Sequence, residues 1–486
     1  MLTTLAFRHL WVRRLRSLFL LLGFAIGVGV MVVLLSVGEA MLDQSRDVTL
    51  VGGGEVTVLP LGIDVEAMRT GGLSGMFFAI DRARFLTRQV LGGPRQSGLV
   101  RTVSPVIEGK LLYLCKAPVP CRPTAVRAGG EIPSRAAALG TGLDVRQGRW
   151  TDSHADSLWV APTSQQLYDE LDRFHIPTRP DSTWAEWHYF NLVPSPREWW
   201  YVTYLVGGAL PERRWGGRIL VTHRRPDGRY DRFTADAPSS RVALDTTRAD
   251  LVIGPSSVRQ RDGAYRLVAV ASGTAGPLRL DIEVVPEPNR YFPPVELRDQ
   301  GFISGYVVPG LSGVARGTIC VRGPCDRISA GRAYHDHNWG VWRDVTWEWG
   351  AARGASLSLL YGGVYGPARS QAGTGAVTSP FILGVVDSLG VRQVLQFDRL
   401  VYQGTEPAEG APGAVAPARF SLTAGRGADS VRLVVEVEHA LATEMSASAF
   451  RRLFFQMRGR FELVGRLAGH QVSDTGRGFF ETYRAR

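Results

Sequence analysis

The sequence predicts a mainly β chain in which two consecutive antiparallel barrels follow one transmembrane helix and a small mixed α/β extracytoplasmic domain. Three observations carry this. From Ala185 onward the chain reads as strand after strand, with turn signals at the roughly 8–12-residue spacing of sandwiches and barrels. Ser17–Val37 is a run of 21 residues without a charge. Between the two, short strand-like runs alternate with helical candidates. The 486 residues, at roughly 150 per domain, allow about three domains. With 45% hydrophobic and 21% charged residues, wholesale disorder and collagen are excluded.

The first segment, residues 1–40, reads as a cytoplasmic tip and membrane anchor. Its uncharged run is close to the ~20 residues a helix needs to cross a bilayer. Arg8, Arg13, Arg14 and Arg16 precede it, and Glu39, Asp43 and Asp47 follow. The positive-inside rule then keeps the N-terminus in the cytoplasm and sends the rest outside the inner membrane, into the periplasm. A cleavable signal peptide is the alternative, but its apolar core is usually ~7–15 residues. Gly23 and Gly27 form a small-xxx-small pair that suits packing against another helix. No second run of spanning length follows, which excludes a channel or multi-span transporter formed by this chain alone.

Residues 41–178 form the mixed domain, with helices expected over Ile80–Val90 and Ser164–Phe174. Gly52–Gly54 is no phosphate loop, because neither a G-x-G-x-x-G nor a Walker pattern follows. Residues 182–342 and 343–486 form the two barrels, with Asp227-Gly228 and Asp262-Gly263 as hairpin turns. Formal net charge is +11, yet the only lysines are Lys110 and Lys116 and arginine is spread along the chain. That reads as arginine-biased usage with affinity for anionic surfaces, and no nucleic-acid partner is expected. Cys115 with Cys121, and Cys320 with Cys325, are close pairs across proline-containing turns. Two local disulfides suit an oxidising compartment. A four-thiolate zinc site would instead require the two distant loops to meet.

Chemistry concentrates in two clusters. In Trp184–Asn191, strand alternation puts Trp184, Glu186, His188 and Phe190 on one face. In Tyr334–Gly340, His335, His337 and Trp339 share a face, opposite Tyr334, Asp336 and Asn338; Trp347 and Trp349 follow in WEWG. Three readings stay open. Aromatic residues fill barrels, and a histidine beside an aspartate is often a structural hydrogen bond. His-x-His presents two imidazoles to a metal, with Glu186 or His188 as a third ligand if the strands meet. A buried carboxyl or imidazolium in an aromatic enclosure can protonate an apolar substrate, with indole faces stabilising the cation. No metal or other cofactor is expected.

WAEWHYFN, then AYHDHNWG and WEWG, resembles the carotenoid 1,2-hydratase and AttH-type family over about Ser182–Arg486. The resemblance implies two lipocalin-like barrels around a pocket for a long apolar molecule. It implies pocket or catalytic roles for His337 and Trp339, and for Tyr361 or Tyr365 on the next strand. The aspartate that the hydratases place near that tyrosine has no counterpart in SLSLLYGGVYGPARS, leaving Glu186 or Asp336 as the substitute acid. Trp184, His188, His335, Trp347 and Trp349 are the candidate ligand-lining residues. The N-terminal segment is similar to the start of MacB-type ABC transporter permeases, which implies an ABC ATPase and permease as partners. The expected function is an anchored extracytoplasmic protein that binds a lipid or isoprenoid beside such a transporter. A hydratase, or an isomerase or cyclase, acting on a polyene is the alternative, and a non-catalytic structural transporter subunit is the third reading.

Overall fold

The computed structural model describes residues 14–46, 56, 58, 80–115, 123–139, 151–156, 164–176, 184–208, 215–299, 302–341, 346–365, 381–445 and 452–485. Cys121 lies outside them. The chain divides into two compact units, Met1–Ala83 with Thr102–Val160, and Arg84–Arg101 with Ala161–Arg486.

In the first unit, one helix spans Arg14–Arg46. The uncharged stretch supplies leucine, valine and alanine without a proline, so nothing interrupts the backbone ladder. Its described large apolar side chains, among them Phe24, Met31 and Leu34, are all exposed. Among the described residues no helix is long and apolar enough to cross a membrane. Further along, β1 (Val106–Leu114) pairs antiparallel with β2 (Thr124–Glu131) across a register shift between Ile107 and Lys110. Cys115 is disulfide-bonded.

The second unit is mainly β. Its first sheet holds β3 (Trp184–Ser195), β4 (Glu198–Gly207), β5 (Gly216–Arg224), β6 (Tyr230–Pro238), β7 (Val242–Leu244) and β8 (Leu251–Ile253). It continues with β9 (Ser256–Arg261), β10 (Ala264–Gly273), β11 (Gly276–Pro286), β12 (Phe292–Asp299), β13 (Phe302–Val321) and β14 (Cys325–Val341). The strand order is β11-β13-β14-β3-β4-β5-β6-β10-β9-β8-β7, with β12 on β13. Full pairing of β10 with β11, and a short contact of β10 with β6 at Phe233 and Thr234, return the path on itself. Alternation drives this: Tyr265, Leu267 and Ala269 of β10 point inward while Arg266 points out. Asp262 and Gly263, both at positive φ, make the two-residue turn from β9 to β10.

The second sheet holds β15 (Thr346–Gly354), β16 (Ser358–Tyr365), β17 (Phe381–Asp387), β18 (Gly390–Phe397) and β19 (Val401–Pro407). It is completed by β20 (Val415–Arg426), β21 (Asp429–Met445), β22 (Arg452–Leu467) and β23 (His470–Ala485). Contact of β18 with β20 closes eight of these strands into a barrel, leaving β19 as an outer edge. Cys320 and Cys325, at the β13–β14 turn, are disulfide-bonded.

Among the described residues four apolar cores result, the smallest made of Phe85, Leu171, Trp184, Tyr291, Val307 and Trp339. One fills the first sheet around Phe190, Tyr204, Phe233 and Tyr265; a second fills the closed barrel around Tyr361, Phe420 and Phe480. The third joins the sheets, where Tyr189, Tyr201 and Tyr334 of one meet Trp349 and Phe479 of the other. Each such side chain contributes roughly 1.5–3 kcal/mol on burial.

Candidate functional site: a buried acid–imidazole cluster

Strands β3 and β14 are antiparallel neighbours, and their register sets His337 opposite His188, Trp339 opposite Glu186 and His335 opposite Phe190. Because side chains alternate, all six turn to the interior of the first sheet. The helix Ser164–Asp172 and the residues after it then insert Asp172 and Phe174 among them. Asp172, Glu186, His188, His335 and His337 have no solvent exposure at all.

Contacts within the cluster are close. His337 Nδ1 lies 2.8 Å from Asp172 Oδ1, and its Nε2 lies 3.0 Å from Glu186 Oε1. The Nδ1 contact is a hydrogen bond, whereas the Nε2 contact is an ion-pair approach without hydrogen-bond geometry. Asp172 Oδ2 also accepts from the Tyr265 hydroxyl at 2.8 Å and meets His335 Nε2 at 3.1 Å. Glu186 Oε1 accepts from the His175 backbone N–H at 2.6 Å. The His175 ring stacks on the Trp339 indole, 3.6 Å between centroids, and Trp339 Nε1 donates to Glu296 at 3.0 Å. A Cβ on Gly305 would sit 2.1 Å from that indole, so glycine is required where β13 passes beneath Trp339.

Burial opposes charge here, and the partners decide which groups keep it. For His337 burial pulls the pKa down, but the hydrogen bond to Asp172, the close approach of Glu186 and the charges of both outweigh it and raise it to about 9. Burial likewise pushes Asp172 up, yet His188, His335 and His337 hold it far below the usual carboxylate range. Glu186 is lowered against its burial by His175 and His337. Burial and the neighbouring His337 charge keep His188 well below its usual value. Neither ring nitrogen of His188 has a hydrogen-bond partner among the described residues. The donor atoms of Asp172, His188 and His337 lie within 4.8 Å of one another, as do those of His175, Glu186 and His337, so either set has the spacing to hold a divalent cation.

No family model and no curated protein matches the chain. Solved structures do. The chain is similar to an AttH-type protein from Nitrosomonas europaea at 16% identity, covering 62% of this chain and 92% of that one, with a TM-score of 0.44. It is similar to CghA at 11% identity over 62% and 88% of the two chains, TM-score 0.45. It is also similar to kievitone hydratase from Nectria haematococca, at 14% identity over 62% and 90%, TM-score 0.40. The likeness describes the arrangement of strands and says nothing of the chemistry.

The structure brings together His337, Trp339, Glu186, His188, His335 and Trp184, but separates other expected site residues from them. Asp336 points the opposite way, to the seam between the sheets, accepting from Tyr334 at 2.7 Å and Asn338 at 2.6 Å. Burial raises its carboxyl well above the usual range, and the nearby Glu481 charge adds to this. It does not join the His337 cluster, because adjacent residues of a strand face opposite sides. Tyr361 belongs to the core of the second barrel, stacked on Phe480. Trp349 lies in the seam, donating to the Tyr334 hydroxyl at 3.1 Å, and Trp347 stacks on Tyr483. Tyr365 ends β16, and its side chain is outside the described set.

One further expectation is corrected. The hollow expected around residues 335–339 is occupied by side chains: His335 and His337 have no exposure and Trp339 has 1%. Asp172 and His175 are not among the site residues the sequence suggests, because its pattern places them in the domain before the barrels. One signal was present. An aspartate in the last turn of a helix sits at the negative end of its dipole, so Asp172 needed a cationic partner from elsewhere.

Proposed function

We propose that this protein is an acid–base enzyme of the hydratase or isomerase type acting on an apolar olefin, with the buried cluster of the first sheet as its proton-handling site. The observation that carries this reading is the single imidazole bridged between two carboxylates, walled by Trp339, Phe174 and Phe190. In hydration, the line Glu186–His337–Asp172 gives a proton to one alkene carbon. Water adds to the cation at the other carbon, and the proton it sheds returns to the line, so alkene plus water becomes alcohol. Once the His175 ring that stacks on it moves aside, the indole face of Trp339 stabilises the intermediate cation. The cluster is closed, and the segment carrying Asp172, Phe174 and His175 is the piece over it that does not belong to the sheet. Substrate entry therefore requires this segment to lift.

Incubating the detergent-solubilised full-length protein with an acyclic carotene in ¹⁸O-water tests the reading. The expected result is a labelled alcohol, lost by at least 100-fold in a His337→Asn variant that melts normally. Equal turnover by that variant removes His337 from the mechanism.

A second reading rests on His188, whose two buried ring nitrogens have no hydrogen-bond partner among the described residues. Here a divalent cation takes the proton's place among Asp172, His188 and His337. Elemental analysis of the purified protein separates the two: stoichiometric metal lost in His188→Ala favours the cation, and metal-free active protein excludes it. In either case the apolar Arg14–Arg46 helix and its preceding arginines support a tether that leaves the barrels outside the inner membrane. The permease-like texture of the N-terminal segment supports a place beside an ABC transporter.

A further inference from the structure

Away from the buried cluster, a narrow cleft lies at the seam of the two sheets where β4 and β14 face β21, β22 and β23, its free space of about 10 Å³ enough for one water. It is lined by Trp199, Arg332, Glu438, His439, Arg458 and Arg477, together with a proline and two glycines. Arg224 and Arg458 lie on the Trp199 ring, their guanidinium carbons 4.5 and 4.9 Å from its centroid. Arg224 donates from Nη2 to His439 Nδ1 at 3.3 Å, which leaves the proton of a neutral His439 on Nε2.

The cleft is short of acceptors. Its one carboxylate, Glu438, is already held by Arg477 at 3.0 Å and Arg460 at 3.2 Å. Trp199 is 2% exposed and Arg224 is 7% exposed. The indole N–H of the first and the Nε–H of the second are buried donors without an acceptor among the described residues. Unmet buried donors are costly, roughly 1–3 kcal/mol each. Burial, and then the charges of Arg458, Arg353 and Arg477, lower the Arg332 pKa, which is the signature of cations crowded without a counterion.

We propose that this seam cleft binds a phosphate-type oxyanion, the group shared by the inorganic ion and the headgroup of an anionic lipid. Guanidinium forks suit its paired oxygens, the oxygens supply the acceptor that Trp199 lacks, and the exposed side chains of Arg332 and Arg477 swing outward to seat it. Because the cleft draws on strands of both sheets, the anion also clamps them together.

Calorimetric titration of the full-length protein in detergent, at constant ionic strength with chloride as control, tests this. Saturable binding of inorganic phosphate or of glycerophosphate is expected, at least tenfold weaker in the double variant Arg332→Gln/Arg477→Gln. Both residues are exposed, and unchanged melting without phosphate verifies the fold of the variant. Tighter binding of glycerophosphate assigns the site to a lipid headgroup, and equal or tighter binding of phosphate assigns it to the free ion. No saturable binding of either, or equal affinity in the double variant, overturns the proposal.

Discussion

Asp172 is the residue on which the buried cluster turns, since it meets His337, His335 and the Tyr265 hydroxyl at once. Asp172→Asn removes the charge but keeps the shape, leaving an imidazolium buried with only Glu186 beside it. Breaking a buried pair in this way costs roughly 3–5 kcal/mol, to be read as a lower urea midpoint at neutral pH. An unchanged midpoint would mean that His337 is neutral in the folded protein. The histidines and Glu186 were visible in the sequence because strand alternation alone puts them on one face. Their partner was not, because it arrives from a helix that no periodicity ties to the barrel.

At the scale of the elements, β13 and β14 are held at close range by Gly305 under Trp339. Gly305→Ala forces the indole off His175 or the strands apart, at a cost of about 1–3 kcal/mol for an overpacked core. Lower thermal stability with altered tryptophan fluorescence is the expected outcome; unchanged values would show that the indole shifts freely. The seam between β3 and β23 has its own titration. Tyr189 donates to Glu481 at 2.7 Å, and burial raises the Glu481 pKa from 4.5 to about 7. A carboxyl raised by folding contributes stability below its unfolded value, and that contribution is lost as pH climbs through the folded one. Urea stability should therefore fall between about pH 4.5 and 7 by an amount on the order of 3 kcal/mol. Glu481→Gln should lack this component while keeping any part due to Asp336; an unaltered pH profile would count against a neutral Glu481.

For the molecule as a whole, the helix Arg14–Arg46 stands out because its described large apolar side chains are exposed. If the proposed tether holds, deleting residues 1–46 moves the protein from the membrane fraction to the soluble fraction with its barrel strands intact by circular dichroism. Persistent membrane association of the truncated form would place the attachment elsewhere. Strand-rich texture after residue 184, the turns at Asp262-Gly263 and the apolar N-terminal run were all legible in the sequence, because each depends on neighbours a few positions apart. Three matters were decided only by the tertiary structure: that Asp172 completes the histidine cluster, that Asp336 turns to the seam, and that Tyr361 packs in the other barrel. The physical reason is that local pattern determines which face a side chain takes. What it meets there depends on strand register, barrel closure and the docking of a helix, and these are settled by the packing of the whole chain.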